Sequence, residues 1–494
     1  MSRALSPTPG LRFSLMGTAS WILAAFFVWF VGRYAYRAGI SVAIADSWNF
    51  IEGFVTHLNH GTLSLDDFFG KRPLSYDHSQ PIQRAVLWLH MVLFQMDFGV
   101  EGVIGCIFAA GLAAFCVYVA NEPFQKAAQK PWFSALLLVS IFAAVFTLNA
   151  RNVFDWSLVT LVFADILGAV LLIAYADRCR QKGHPLRLLI AVFIGCALMD
   201  TVGIMAVAAI SLLYLLSYAR HGGARSHWIL IGSSLSGALL YKVLYTLIFL
   251  GGNPGGGGLI AKLPNLLHGW RESWKVIVVP LGGAIVSPSR ILAFKPAYLW
   301  PSLWLSAAVM LLISVWFWKR FLKHTDERIP FIAAGLMLIC YGSVAGVLLV
   351  RVPEFGFDYL LQPRYALFFT LQLVAVLMMA SHAWSRGASK TARGLITFGA
   401  LCVVGLWIVY AKATAIEQPY VRAYNQQMAD QIHALWLNPE ATPTPCSVNI
   451  VPCSWTPQKR KDVIGELTKG PWNVFSPSFR HRHGLRWIED NPTK

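Results

Sequence analysis

Charge is the first thing this sequence lacks. Only 13% of its 494 residues are Asp, Glu, Lys or Arg, where soluble domains carry about 25%. That excludes a chain that keeps itself in water by a charged surface. Acidic residues are the scarcer sign, with 24 Asp and Glu against 41 Lys and Arg and a net charge of +17. The basic residues fall in short loops between apolar stretches, where orientation signals belong, so the excess does not point to nucleic acid. Cysteine is sparse too. Six of the eight lie in apolar segments, where a thiol is a small hydrophobe. Cys446 and Cys453 lie seven apart in the only long polar tail, each after a proline. Outside the cytoplasm they could form a disulfide; two free thiols is the alternative. No internal repeat marks inverted transporter halves. No small-residue cleavage site follows the first apolar stretch, so no cleavable signal peptide is expected. The run Gly251-Gly252-Asn253-Pro254-Gly255-Gly256-Gly257-Gly258 lacks the Lys-Ser/Thr of a phosphate loop and reads as a flexible linker.

Long apolar runs are what the chain has instead. Hydrophobic residues make up 56% of it, and mean hydropathy is +0.54. A helix crossing a ~30 Å hydrocarbon core needs ~20 such residues. The runs predict eleven spans, near 12–32, 99–120, 132–148, 157–176, 186–199, 203–219, 226–250, 298–318, 328–350, 364–384 and 394–414. With a cytoplasmic N-terminus, this count puts every basic cluster on the cytoplasmic side: Lys126 and Lys130; Arg178 to Arg187; Arg220 and Arg225; Lys319 to Arg328; Arg386 to Arg393. Residues 81–97 and 275–290 are apolar but are read as interfacial or re-entrant, because counting 81–97 as a span inverts every later loop. The alternative is that both cross. The expected fold is an all-α polytopic membrane protein with one transmembrane domain, residues 1–414. It includes a first outer loop at 33–98 and a Gly-rich outer loop with a re-entrant segment at 251–297. An outer-face tail at 415–494 is expected to form a small cap.

The first outer loop carries the clearest local pattern. Trp48, Ile51, Val55 and Leu58 recur at helical spacing, which predicts an amphipathic helix lying on the membrane. Asp46 precedes it, and its plain role is an N-cap. Ser64-Leu65-Asp66-Asp67 reads as the capping box of a second short helix. His57 and His60 are i,i+3 neighbours that could share a divalent metal, but no third ligand stands at metal spacing.

Several stretches together resemble the GT-C glycosyltransferases, multi-span enzymes that act at the outer membrane face. Asp46-Ser47-Trp48-Asn49-Phe50-Ile51 is similar to the Asp-x-Trp opening of their first outer loop, and His78 to the His that closes it. Arg151-Asn152-Val153-Phe154-Asp155-Trp156 resembles an aromatic-rich, Asn-containing motif of the next outer loop. Asp200-Thr201-Val202-Gly203 resembles a polar turn that breaks an apolar run. Arg351 followed by Gln362-Pro363-Arg364-Tyr365 resembles a late outer loop whose Arg-Tyr opens the next span, and Phe475 stands near the end of a similar acidic-poor tail. The family often has Glu-His-Arg where this chain has Asp77-His78-Ser79-Gln80, and Asp155 has no counterpart in that pattern. The resemblance implies a polyprenyl-phosphate-linked sugar donor and a glycan or glycolipid acceptor. It places the protein among the lipids of a bacterial inner membrane, with a cytoplasmic N-terminus and a periplasmic C-terminus. It implies no firm cofactor and leaves a divalent metal open.

Sugar transfer from a lipid phosphate needs a base for the acceptor hydroxyl and cations for the departing phosphate. Asp46 is the candidate base. Arg351 and Arg364 are candidate phosphate ligands, because a guanidinium matches phosphate oxygens and keeps its charge; Tyr365 stands beside them. Trp48, Glu52, Asp77, His78, Arg151, Asn152 and Asp155 are candidate acceptor or site-lining residues. The bland readings are an interfacial anchor for Arg364 and an ion pair with Glu354 or Asp358 for Arg351. Two other functions compete. One is an O-antigen or polysaccharide polymerase or ligase. The other is a flippase or proton-coupled transporter, supported by Asp165 and Lys242 inside predicted spans.

Overall fold

A computed structural model describes residues 15–70, 81–127, 131–221, 225–249 and 270–485. Every regular element among them is helical. Nine of these helices are long and apolar enough to cross a membrane, which is the architecture of an all-α polytopic membrane protein. Two predicted spans, 132–148 and 186–199, are shorter helices of 15 residues each, Pro131–Val145 and Pro185–Met199. The candidates His78 and Asp77, and the Gly-rich run at 251–258, lie outside the described residues.

The bundle has two distinct ends. At one, the basic loops cluster. Arg180 reaches Asp326 at 2.8 Å, Arg328 reaches Glu122 at 3.2 Å, and Arg320 donates to the His382 carbonyl at 3.4 Å. At the other end the first loop and the C-terminal tail fold together. The last long helix does not stop near 414. It runs from Lys390 to Leu437, 48 residues or ~72 Å, and its second half leaves the bundle to enter that cap. Met428, Ile432 and Leu435 of this helix share a buried core with Trp48, Ile51 and Val55 of the first loop.

This shared core corrects one expectation. The apolar face at Trp48, Ile51 and Val55 does form on a helix, built of Ser47–Phe50, a π-helical turn Ile51–Val55 and Thr56–Asn59. Those three side chains are fully buried by the cap, so this face meets protein rather than lipid. Periodicity reports that a face is buried, not what covers it. The second short helix, Leu65–Phe69, has the capping box read from Ser64 and Asp67. Polar ties hold the tail down. Asn473 donates to the Ser41 and Met96 carbonyls, and Arg482 and His483 lie 2.9 and 3.0 Å from Asp97. Cys446 and Cys453 are disulfide-bonded, with 6.3 Å between their Cα atoms.

The segment 275–290 forms no single crossing helix. It holds Lys275–Gly282, a bend, and the start of Pro288–Phe294. Its free carbonyls are met from the bundle: Asn149 donates to Gly283 and Gln372 to Pro280.

One hairpin creates the space for a site. The helix Ser157–Lys182 has 26 residues and is followed almost at once by Pro185–Met199, with 15. The first ends and the second begins at the basic-loop end, so the second stops roughly 16 Å short of the level where the first starts. The chain then turns at Asp200, whose φ is 42°, and returns as Thr201–His221. Gly203 allows the turn to close, because a Cβ there would lie 2.9 Å from the Gly195 carbonyl oxygen and the Cys196 Cα. The shortfall leaves a recess toward the cap end.

Candidate functional site

A cavity of about 300 Å³ occupies this recess. Asp46, Gln83, Arg351, Arg364 and Tyr365 surround its cap end. Val159, Val162, Val347, Val350 and Phe368 form apolar walls, and Asp165, Met199, Thr201, Met205 and Ser343 line the deeper part. Two stretches far apart in sequence thus bring the candidate base and both candidate phosphate ligands to one space.

Asp46 is presented by backbone geometry. Ala45 sits at φ 42°, an uncommon angle for a residue with a side chain, and its N–H bonds the Asn449 carbonyl of the cap at 2.8 Å. Asp46 occupies the N-cap position of Ser47–Phe50, but its side chain makes no capping bond. Its plain role is therefore not the one it plays, and the exposed carboxylate lines the cavity instead. The π-helical turn that follows is of a kind frequent at functional sites.

Arg364 is held by rings. Its guanidinium carbon lies 5.4 Å from the Tyr359 ring centre, 5.4 Å from Tyr365 and 5.9 Å from Trp156, and it donates to the Tyr359 hydroxyl. Among the described residues no carboxylate lies within ion-pair distance of it. Aromatic faces orient a guanidinium and attract it, but they leave its charge unneutralised. Such a group, beside a second arginine, suits a phosphate. Arg351 lines the same cavity. Asp358, one of its expected partners, is taken by Lys275 at 2.6 Å.

Gln83 was not singled out in the sequence. It is 2% exposed, lines the cavity, and among the described residues neither its amide oxygen nor its nitrogen has a hydrogen-bond partner. A buried unmet amide is costly unless a ligand satisfies it. The only sequence signal was a polar residue inside the apolar 81–97 run.

Other candidates lie elsewhere. Trp48 is buried against Trp455 of the cap, with ring centres 5.8 Å apart. Glu52 pairs with Lys459 of the cap at 2.7 Å. Arg151 pairs with Asp155 at 3.3 Å and Glu417 at 3.5 Å, and Asn152 opens the short helix Asn152–Asp155 between them. Asp155 is 4% exposed; burial pushes its carboxyl up to about 6 against the pull of Arg151. These residues fix the cap and outer loops rather than line the cavity. Lys242 does not pair with Asp165: it is exposed on its helix, 5.4 Å from the Tyr245 ring centre.

His57 and His60 do not converge on a metal. His57 turns to Asp67 and His60 to Glu466, 3.4 Å away. Among the described residues, His324, Glu327 and His382 have ligand atoms close enough to share an ion. They lie at the basic-loop end, and Arg386 sits 2.6 Å from the same Glu327 carboxylate.

An apolar groove of about 390 Å³ lies near the cavity, lined by Phe68, Phe69, Pro81, Ile82, Leu89 and Leu198 among others. Its residues Ile82 and Leu198 are the chain neighbours of Gln83 and Met199 in the cavity. No protein-family model matches this chain, and neither a curated protein nor a solved structure matches it.

Proposed function

We propose that this protein is a membrane glycosyltransferase of the GT-C type, which moves a sugar from a polyprenyl-phosphate donor to an envelope glycan or lipid acceptor. One observation carries the reading: Asp46, Arg351 and Arg364 face one cavity, and Arg364 has no acidic partner among the described residues. Arg351 and Arg364 hold the donor phosphate, and Tyr365 helps to fix Arg364. Asp46 takes the proton of an acceptor hydroxyl. The acceptor oxygen forms its bond to the anomeric carbon, the bond from that carbon to the phosphate oxygen breaks, and the lipid phosphate leaves with the electron pair. Direct displacement by one base inverts the anomeric centre. The apolar groove beside Gln83 suits the lipid chain.

In this reading the chain crosses a bacterial inner membrane eleven times, the short helices Pro131–Val145 and Pro185–Met199 included. Its N-terminus is cytoplasmic and its cap periplasmic. The Cys446–Cys453 disulfide supports that side for the cap, because disulfides persist in oxidising compartments. The basic clusters at the opposite end agree with it. A proton-coupled transporter is the second reading, favoured by Asp165 in the deep part of the cavity.

The test is Asp46→Asn, which keeps shape and removes the base. Surface glycans of cells carrying only this variant are compared by mass spectrometry with those of wild type. The expected result is loss of one glycan modification, with transfer slowed about 100-fold or more. Full modification by Asp46→Asn, with loss in Asp165→Asn, sinks the enzyme reading in favour of the transporter.

A further inference from the structure

Asp165 has no part in the transfer step above. It lies eight residues inside the Ser157–Lys182 helix, ~12 Å below its start. It is 8% exposed, it lines the cavity, and it makes no hydrogen bond or ion pair among the described residues. Asp200 stands near it at the hairpin turn, 3% exposed, and accepts a hydrogen bond from Tyr241 at 2.8 Å. Thr201 and Ser343 add hydroxyls to the same depth. An unmatched carboxyl at this depth is costly, and such groups are kept where they serve a ligand or a path.

The order of polarity along the cavity is informative. Two arginines and Asp46 stand at the cap end, valines in the middle and the Asp165 carboxyl at the floor. A lipid tail would fit the middle but would meet Asp165 at the bottom. The hydrocarbon has a better place in the apolar groove next door. A polyol fits the cavity instead: its hydroxyls donate to the Asp165 carboxyl and bond the unmet Gln83 amide, while its ring carbons pack on valine.

We propose that the floor built by Asp165, with Gln83 at the wall, is the subsite for the transferred sugar, so that the donor sits with its phosphate at the arginines and its sugar pointing into the membrane. This rests on the donor-phosphate reading above. It makes Asp165 and Gln83 determinants of sugar specificity, distinct from the base and the phosphate ligands.

The test uses the purified full-length protein and short lipid probes: farnesyl phosphate alone, and farnesyl phosphate bearing a hexose, a pentose or a 2-acetamido hexose. Binding is read by tryptophan fluorescence. In wild type at least one glycosylated probe is expected to bind about tenfold tighter than farnesyl phosphate. Asp165→Leu should cut that advantage to under twofold and leave farnesyl phosphate binding unchanged. Arg364→Ala should weaken all probes alike. Asp165→Asn guards against a folding defect, and melting temperatures are measured for both variants. An advantage that survives in Asp165→Leu overturns the proposal, as does the absence of any advantage in wild type. A marked loss of thermal stability in both Asp165 variants also overturns it, because the carboxyl is then structural. If Arg364→Ala leaves farnesyl phosphate binding intact, or wild type binds no probe, the donor-phosphate reading itself fails. A proton-coupled transporter has a separate signature: proton uptake into proteoliposomes that Asp165→Asn abolishes.

Discussion

Arginines gather at both ends of the bundle, but their partners differ. At the basic-loop end Arg180 lies 2.7 Å from Asp177 and 2.8 Å from Asp326, and Arg386 lies 2.6 Å from Glu327. At the cap end Arg290 and Arg482 are likewise matched, by Glu417 at 3.2 Å and Asp97 at 2.9 Å. Arg364 is the contrast. Three aromatic rings, one of them through its hydroxyl, hold it beside a cavity, and among the described residues no acid pairs with it. A matched arginine ties two helices together and has little left to offer a ligand. A caged but unneutralised one has its position fixed while its charge awaits an anion. The difference lies in the partners, and loop composition alone could not have shown it.

The sharpest way to break this comparison is to remove one arginine from each class. Arg364→Ala is expected to lower kcat/KM for the glycosylated lipid donor by about 100-fold, in line with loss of a preorganised charge at a departing anion. Arg364→Lys keeps the charge but loses the flat fork and its ring contacts, so only partial recovery is expected. Arg180→Ala should change kcat/KM less than threefold while lowering the melting temperature. Equal loss of activity in Arg180→Ala and Arg364→Ala would erase the distinction between the two ends.

The sequence made some of this comparison legible. Spans follow from apolar runs of about 20 residues, and the basic loops sort to one side by charge alone. Asp46, Arg351 and Arg364 could be named because residue type and position at span ends carry chemical meaning. What could not be read depended on packing. Asp46 looks like a helix cap, and only the folded chain shows that its side chain makes no capping bond and lines the cavity. Gln83 stands out because its buried amide has no partner among the described residues, and Asp165 because it lines the same cavity, which a linear pattern does not encode. Trp48 and Glu52 belong to the cap contact, formed with residues some 400 positions later.

A second prediction sharpens the structural side. Burial pushes the Glu327 carboxyl up, but hydrogen bonds from Arg386, His382 and His324 outweigh it and hold it at about 2. A carboxyl depressed on folding stabilises above its ordinary value, about 4.5, and that contribution fades as pH falls toward 2. Glu327→Gln should therefore cost about 1–2 kcal/mol at pH 7, after discounting for its partial exposure. Thermal melts from pH 7 to pH 3 should show variant and wild type converging at the acid end, with activity at neutral pH little changed.

The smallest effect is expected at Asp155, where the sign reverses. Burial raises this carboxyl to about 6 from an ordinary value near 3.8. The folded protein holds its proton more tightly than the unfolded chain does. The resulting stabilisation is complete below about pH 3.8 and is lost as pH rises through about 6. Asp155→Asn removes that dependence. Its melting temperature should vary less than wild type's between pH 4 and 7, with the two differing by only a few degrees at neutral pH. Because Asp155 pairs with Arg151 and sits outside the cavity, donor affinity should stay within about twofold of wild type. A collapse of donor binding in Asp155→Asn would move the Arg151–Asp155 pair from the cap's framework into the site, and the contrast between Arg364 and the ion-paired arginines would no longer separate structure from function.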